Sequence, residues 1–430
     1  MEKYDERVAL CALNKVFGYH PRLGRTLMET AGGALAVFAA REKNPEREEG
    51  QGPGREPTGR VLAEGGAGAH PELLEQLTPE LLEWAARELD QIRARGFRFI
   101  GLGEEDYPAP LLECEDPPLG IYLNGSSAPA EIFSIRPLVG VVGTRDISPY
   151  GKAWCRKLVT ALADAPVPPA IVSGMAYGAD GIAHETALEC GLPTIGILPT
   201  GIETIYPRQH ERLAVRMVGT PGCALLTDYP MGTAPVALNF LRRNRIIAGL
   251  VRGVIVVESK TKGGSLMTAR YATEYNRDVF ALPGRADDPR SAGCNSLIAS
   301  HMAEIITTPE ALVAALGLGR PARRGAVRAG DTGAGVMAEA GGAAGRAGAG
   351  RPPSREEALR AALERQFGHG SPFCTLGMTI QAHRGALPDE LAALTGLPIG
   401  TVLEGIGRLE AAGLAATDLL RRCAIVPAYD

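Results

Sequence analysis

The chain has 430 residues, 45 Lys and Arg against 49 Asp and Glu, and a formal net charge of −4. That length suits roughly two or three domains, and 45% hydrophobic residues with 54 glycines fit a globular α/β protein. The charge balance excludes a wholesale basic footprint of the histone kind and leaves local patches to decide any contact with nucleic acid.

The eight cysteines form no CxxC pair and have no His at zinc spacing, so they read as free thiols of a reducing compartment. The charged start, Met1 to Arg7, leads into no apolar run, and no signal peptide is expected. No stretch approaches the ~18–20 apolar residues of a membrane span. The expectation is a soluble, cytoplasmic protein without membrane contact.

Residues 5–42 carry helical periodicity in Val8, Leu10, Leu13, Val16 and Phe17, in Leu23, Leu27 and Met28, and in Leu35, Val37 and Phe38. Gly18-Tyr19-His20-Pro21 separates the first two helices. Residues 43–70, rich in Gly, Pro and Glu, predict a mobile insertion. Thr78-Pro79-Glu80 opens a helix running through Arg95, with Thr as N-cap and Pro in the first turn. An N-terminal all-α domain over 1–100 follows from these segments.

From Leu138 to about Leu316 short apolar strands alternate with amphipathic helices. The predicted strands are Leu138–Val142, Ala170–Val172, Thr194–Leu198, Ala224–Thr227, Gly253–Glu258, Val279–Leu282 and Glu304–Ile306. They are near-continuous apolar runs, as strands buried on both faces of a parallel sheet are. Helix-length connections make the module, 101–317, a doubly wound, mostly parallel α/β sheet.

Residues 318–355 are Gly, Ala and Arg without period, which predicts a flexible linker. Ser354-Arg355-Glu356-Glu357 then starts a capped helix. A helix at Leu387–Leu391, a turn at Gly396-Leu397-Pro398, a helix to Leu409, a stop at Gly413 and a strand at Cys423–Val426 suggest a winged-helix domain over 356–430.

Arg242-Arg243-Asn244-Arg245 places three guanidinium groups on four residues, directly ahead of Ile246-Ile247-Ala248-Gly249-Leu250. On a mildly acidic chain such a knot predicts an anion site; a solvated charged face is the alternative. Gly143-Thr144-Arg145 follows the first strand of the module, where glycine lets N–H groups approach a phosphate and Arg145 adds a planar fork. The GxGxxG spacing of a nicotinamide site is absent.

Ser173-Gly174-Met175-Ala176-Tyr177-Gly178-Ala179-Asp180 offers a second donor-rich turn. Asp180 is expected to cap the helix carrying His184, which reads as a buried, hydrogen-bonded imidazole. Gly201 with Tyr206-Pro207 follows the third strand. Gly263-Gly264-Ser265-Leu266-Met267-Thr268 opens a later helix, with Lys260 and Lys262 beside it. All these loops fall at the carboxyl edge of one sheet, where open α/β sheets bind ligands. No nucleophile–base, paired-carboxylate or metal-ligand set appears at convincing spacing, and no cofactor is expected.

Together these residues resemble the DNA processing protein A family, DprA or Smf. The matches are Tyr107-Pro108 with Leu111, Asp116-Pro117-Pro118, Val141 to Arg145, Ser173 to Asp180 with Ala183-His184, Gly201 with Tyr206-Pro207, Arg243 to Leu250, Gly264 to Ala269, and Pro283-Gly284. The resemblance implies an extended Rossmann fold that binds single-stranded DNA, forms homodimers and loads the recombinase RecA during natural transformation, displacing or bypassing single-strand-binding protein, without being an enzyme. By motif, Arg145, Arg242, Arg243 and the Gly264-Ser265 loop would hold phosphates, and Asn244-Arg245 would lie beside a nucleobase. Gly143, Thr144, Ser173, Gly174, Gly201, Lys260 and Thr268 complete the expected nucleic-acid-binding set. Leu241, Gly263, Thr144 and Thr227-Asp228 depart from the family's usual Pro, Ser, Ser and Ser-Glu without removing a cation. The first helices resemble the family's SAM-like or helix-hairpin-helix-like module, and the tail resembles its winged helix.

Two other readings compete. A nucleoside-monophosphate phosphoribohydrolase carries PGGxGTxxE; Gly263–Thr268 is similar, but the Pro is missing and no Glu follows until Glu274. A small-nucleotide sensor on the same fold is the third.

Overall fold

A computed structural model describes residues 4–42, 70–319, 355–383, 386–412, 414–417 and 423–425. In it the apolar runs of the central segment pair into one nine-stranded sheet, ordered β1-β2-β6-β5-β4-β3-β7-β8-β9. The strands are β1 Arg98–Gly101, β2 Gly120–Asn124, β3 Leu138–Val142, β4 Ala170–Ser173, β5 Thr194–Ile197, β6 Ala224–Thr227, β7 Gly253–Val256, β8 Asp278–Ala281 and β9 Glu304–Ile305. From β6 across to β9 all neighbours are parallel. β1 and β2 are antiparallel to one another, and β2 is antiparallel to β6.

The seven strands expected from the sequence form, with ends shifted by no more than two residues. β1 and β2 are additional. They are short and lie at one edge, outside the strand–helix alternation that marks the parallel strands.

β3 shows why these strands are apolar throughout. Leu138 and Val142 pack on one face with Ile246, Ile247 and Leu250. Val139 and Val141 pack on the other with Leu158, Val159 and Leu162. Successive side chains of a strand point to opposite faces, so a sheet covered on both sides needs apolar residues at every position.

The crossovers run in two directions from the centre. Helices Pro149–Ala163, Ala179–Glu189 and Glu211–Val218 carry the chain from β3 through β4 and β5 to β6. The helix Ala237–Leu250 then brings it back to β7, on the other flank of β3, and Gly264–Glu274 and Ala292–Ala299 lead on to β8 and β9. The loops after the neighbours β3 and β7 therefore turn to opposite faces and leave a crevice at their carboxyl ends.

Helices Glu6–Phe17, Pro21–Ala31, Ala34–Glu42, Pro71–Leu74 and Pro79–Ala94 precede the sheet. The Asp5 carboxylate accepts from the Val8 amide at 2.9 Å and the Thr78 hydroxyl from Leu81 at 3.4 Å, so each cap fixes a helix start. Leu10, Leu13, Phe17, Leu82 and Ile92 pack with Tyr122 and Leu225 of the sheet. The insertion expected over 43–70 and the linker over 318–355 fall almost wholly outside the described residues.

The chain divides into two compact units, Met1–Val327 and Arg328–Asp430. In the second, helices Arg355–Phe367, Pro372–Ala382, Pro388–Thr395 and Ile399–Ala411 enclose Leu363, Leu376, Ile380, Leu391, Val402 and Ile406. Ala415–Thr417 pairs antiparallel with Cys423–Ile425. The sequence reading misses Pro372–Ala382, which has no charged residue to mark a polar face. The Leu387 amide donates to the Glu390 carboxylate at 2.8 Å, and Gly396, at φ 69°, ends that helix in the left-handed region. The stop at Gly413 and the last residue of the expected strand, Val426, lie outside the described residues. Among the described residues no helix is long and apolar enough to cross a membrane.

Candidate functional site

At the crevice between β3 and β7 the surface opens into a cleft of about 610 Å³. It is lined by the loop after β3, Gly143 to Asp146, by Ser259 to Gly264 after β7 with Ser265 and Thr268 behind them, and by Phe240, Leu241, Arg243, Asn244 and Ile247 of the helix Ala237–Leu250.

Buried contacts set the β3 loop. The Thr144 amide donates to the Glu258 carbonyl at 2.7 Å, tying the two loops together. Gly143 is required there, because a Cβ would sit 2.7 Å from Ala179 and 3.2 Å from the Glu258 carbonyl. The Glu258 carboxylate, 1% exposed, accepts from the Ser148 amide at 2.9 Å and its hydroxyl at 2.5 Å, and so anchors the next helix. With its backbone held, Arg145 stays exposed, its guanidinium 4.8 Å from the centre of the Phe240 ring.

The second donor group is the start of the helix Gly264–Glu274. First-turn amides have no intrahelical partner and sit at the positive end of the helix dipole, which makes such a turn an anion site. Gly264 is exposed, while Ser265 and Thr268 are buried beneath it. Asn244 donates to the Gly264 carbonyl at 3.2 Å, and the Ser265 hydroxyl to that of Ser259 at 2.9 Å. Asn244 thus ties the two helices together at the cleft.

The basic run lies in the middle of its helix. Consecutive helical residues are about 100° apart, and the three arginines diverge accordingly. Arg243, 3% exposed, donates to the carbonyls of Gly174 and Ile197. Burial pushes its pKa down to about 10, with Asp180 acting in the opposite direction. Arg245, 4% exposed, pairs with the Asp228 carboxylate at 2.5 Å and donates to the Asp116 carbonyl at 2.5 Å. Burial opposes its charge, but Asp228, with Asp116 behind it, outweighs that and raises its pKa. Arg242 donates to the Gly18 carbonyl at 3.0 Å and lies over the Tyr19 ring at 4.7 Å.

Several expectations are corrected by these contacts. Arg245 does not line the cleft; it is paired with Asp228 and the Asp116 carbonyl. Arg243 reaches the cleft lining, with its Nη1 donating to two main-chain carbonyls and its Nε buried without a partner. Arg242 is turned to the N-terminal helices. Ser173, fully buried, donates to the Val141 carbonyl at 2.5 Å. Gly174 is a glycine because any Cβ would overlap the Arg243 guanidinium. Of the two, Gly174 holds Arg243 through its carbonyl, and the Ser173 hydroxyl is engaged by Val141. The Gly201 amide donates to the Thr233 carbonyl at 3.1 Å, away from the cleft.

Asp180 is the second residue of its helix, whose N-cap is Gly178, so it does not serve as that cap. It lines the cleft at 6% exposure and accepts from the Ala176 amide at 3.3 Å; burial raises its pKa, with Arg243 lowering it. His184 is fully buried, with Nδ1 2.6 Å from the Thr194 hydroxyl. That hydroxyl donates to the Ile171 carbonyl at 2.9 Å, so the imidazole Nδ1 carries the hydrogen. Burial pushes the His184 pKa down to about 3.

The exposed cations of the lining are Arg145, Lys260 and Lys262. Asp146 faces Lys260 at 3.8 Å and Arg290 at 3.5 Å. Phe240, with Tyr206 packed edge-on at 5.3 Å, adds an aromatic surface that sequence reading alone does not assign. Its signal is an aromatic residue two positions ahead of the basic run. Glu274 lies at the far end of its helix, ten residues and about 15 Å from Gly264.

A family model for the DNA recombination-mediator protein A matches residues 98–317, the whole sheet and the cleft. The chain belongs to the DNA recombination-mediator protein A family. A Smf protein of Synechocystis is 35% identical over 339 residues, covering 77% of this chain and 80% of the relative. A Smf protein of Escherichia coli is 42% identical over 220 residues, covering 51% of this chain and 57% of that protein. The X-ray structure of DNA processing protein A from Streptococcus pneumoniae matches with a TM-score of 0.53 at 29% identity, covering 68% of this chain and 97% of that one. The family match begins at β1, so the antiparallel edge belongs to the matched segment together with the parallel strands.

Proposed function

We propose that the chain binds single-stranded DNA in the β3–β7 cleft and acts as a recombination mediator. The observation that carries this reading is the convergence of the Gly264 helix start with the exposed Arg145, Lys260 and Lys262, next to the ring of Phe240. Amides and cations grip phosphates, and an aromatic face accepts any base, so little sequence preference is expected. The family supports the mediator role, and we read that role further as a homodimer that loads RecA on incoming strands during natural transformation, in competition with single-strand-binding protein. We read the first helices as a SAM-like module and the second unit, with its four helices and small hairpin, as a winged helix.

We also read the protein as non-catalytic. The carboxylate that phosphoribohydrolase chemistry needs is represented only by Glu274, far from the Gly264 turn, and the two cleft carboxylates, Asp146 and Asp180, are engaged by cations and by a backbone amide respectively.

Fluorescence anisotropy with single- and double-stranded oligonucleotides, followed by RecA assembly on strands coated with single-strand-binding protein, tests the proposal. Preference for single strands and faster RecA assembly are expected. Salt-insensitive binding, or tighter binding of a mononucleotide than of an oligonucleotide, would overturn it.

A further inference from the structure

A groove of about 440 Å³ adjoins the cleft and shares Arg145 and Asp146 with it. Its other lining includes Lys152, Tyr177, Glu185 and His210. Tyr177 is 41% exposed, yet its ring is held in place. The hydroxyl donates to Gln209, and the ring meets that of His210 edge-on at 5.4 Å and 67°. His210 is itself fixed, because its Nδ1 donates to the Met175 carbonyl at 2.8 Å. Gly181 leaves room for it, since a Cβ there would lie 2.9 Å from the imidazole. Ordering an aromatic ring that stays two-fifths exposed gains less for the fold than burying it would. A fixed, solvent-facing ring is what base stacking requires.

We propose that this groove is a further nucleotide subsite, in which a base of the bound strand stacks on Tyr177 while its phosphates pass between Arg145 and Lys152. The proposal rests on the reading of the cleft as a single-strand site. Lys152 is exposed, and among the described residues no carboxylate lies within ion-pair distance of it. Asp146 is already countered by Lys260 and Arg290. Glu185 is the remaining acid of the groove and disfavours a phosphate beside it, which leaves the Arg145–Lys152 side for the backbone. Because Arg145 lines both depressions, one strand gripped there places neighbouring nucleotides in each.

Fluorescein-labelled dT4 and dT10 titrated against the full chain and its Tyr177→Ala, Tyr177→Phe and Lys152→Ala variants test this. The wild type should bind dT10 more tightly than dT4. Tyr177→Ala should remove roughly tenfold of that gain and leave dT4 unchanged. Tyr177→Phe keeps the ring and should stay within about twofold of the wild type on both oligonucleotides. Lys152→Ala should reduce the salt slope for dT10 by about 0.7. An unchanged urea midpoint for each variant separates binding from folding. If Tyr177→Ala binds dT10 as the wild type does, the subsite is overturned and the cleft stands. If the wild type binds neither oligonucleotide, it is the single-strand reading that falls.

Discussion

Arg243 donates to the carbonyl of Gly174, placing a guanidinium from the most cationic run in the chain under the loop that follows β4. A second bond, to the Ile197 carbonyl, ties the same group to the end of β5. The residue therefore braces two neighbouring strand ends beside the cleft.

Arg243 and Arg145 should consequently behave differently. Arg243→Ala leaves two buried carbonyls without their donor and should cost roughly 2–4 kcal/mol. Arg145→Ala, at an exposed position, should change stability by no more than about 0.5 kcal/mol while weakening single-strand binding to all sequences alike. Urea unfolding and anisotropy on both variants check this; equal stability losses would refute the distinction.

Asp228 and Arg245 form a pair in which both side chains are 4% exposed. Asp228→Asn keeps the shape but strands a buried charge, and breaking such a pair costs about 3–5 kcal/mol. Replacing both by Asn and Met should cost less than Asp228→Asn alone, because no uncompensated charge remains. The unfolding free energies of the single and double variants decide this.

The salt dependence of binding should be shallower than a five-phosphate track, which would have a slope of about −3.5, implies. Only Arg145, Lys260 and Lys262 are exposed among the cations lining the cleft. Three phosphates give a slope near −2 in log K against log salt for a short oligonucleotide confined to the cleft. A slope near −3.5 for dT4 would mean that further cations reach the strand.

Asn244 should act by position. Asn244→Ala frees the Gly264 carbonyl from the neighbouring helix, loosening the amides that face the cleft. Affinity should fall several-fold, on the order of one lost neutral hydrogen bond, with the salt slope unchanged, because no cation is removed. A reduced slope would show that Asn244 acts through charge.

Stability should decline in mild acid through His184. Its pKa falls from 6.5 in the open chain to about 3 when buried, so the unfolded chain takes up the proton first. The contribution is fully present above about pH 6.5 and is lost as pH falls toward 3, at about 1.4 kcal/mol per pH unit. His184→Gln should flatten stability between pH 6 and 4 relative to the wild type. Parallel pH profiles for the two would refute the assignment.

The parallel strands were legible in the sequence because burial on both faces forces apolar residues at every position, and β3 has Leu138, Val139, Val141 and Val142 without a polar break. The glycine-bearing turns after β3 and β7 were legible for a related reason: Gly143 has no room for a Cβ, and that requirement is local. β1 and β2 were not, since four or five residues at a sheet edge carry no strand–helix alternation.

The ordered motifs from Tyr107 to Pro283-Gly284 were by themselves enough to point to the family. What only the tertiary structure decided is which donors face the cleft. Adjacent arginines in a helix point about 100° apart, so a cationic run in sequence disperses to the Gly18 carbonyl, the Gly174 carbonyl and Asp228. Arg145 and the lysines Lys260 and Lys262, more than a hundred residues further on, converge instead because β3 and β7 are neighbours whose loops turn to opposite faces.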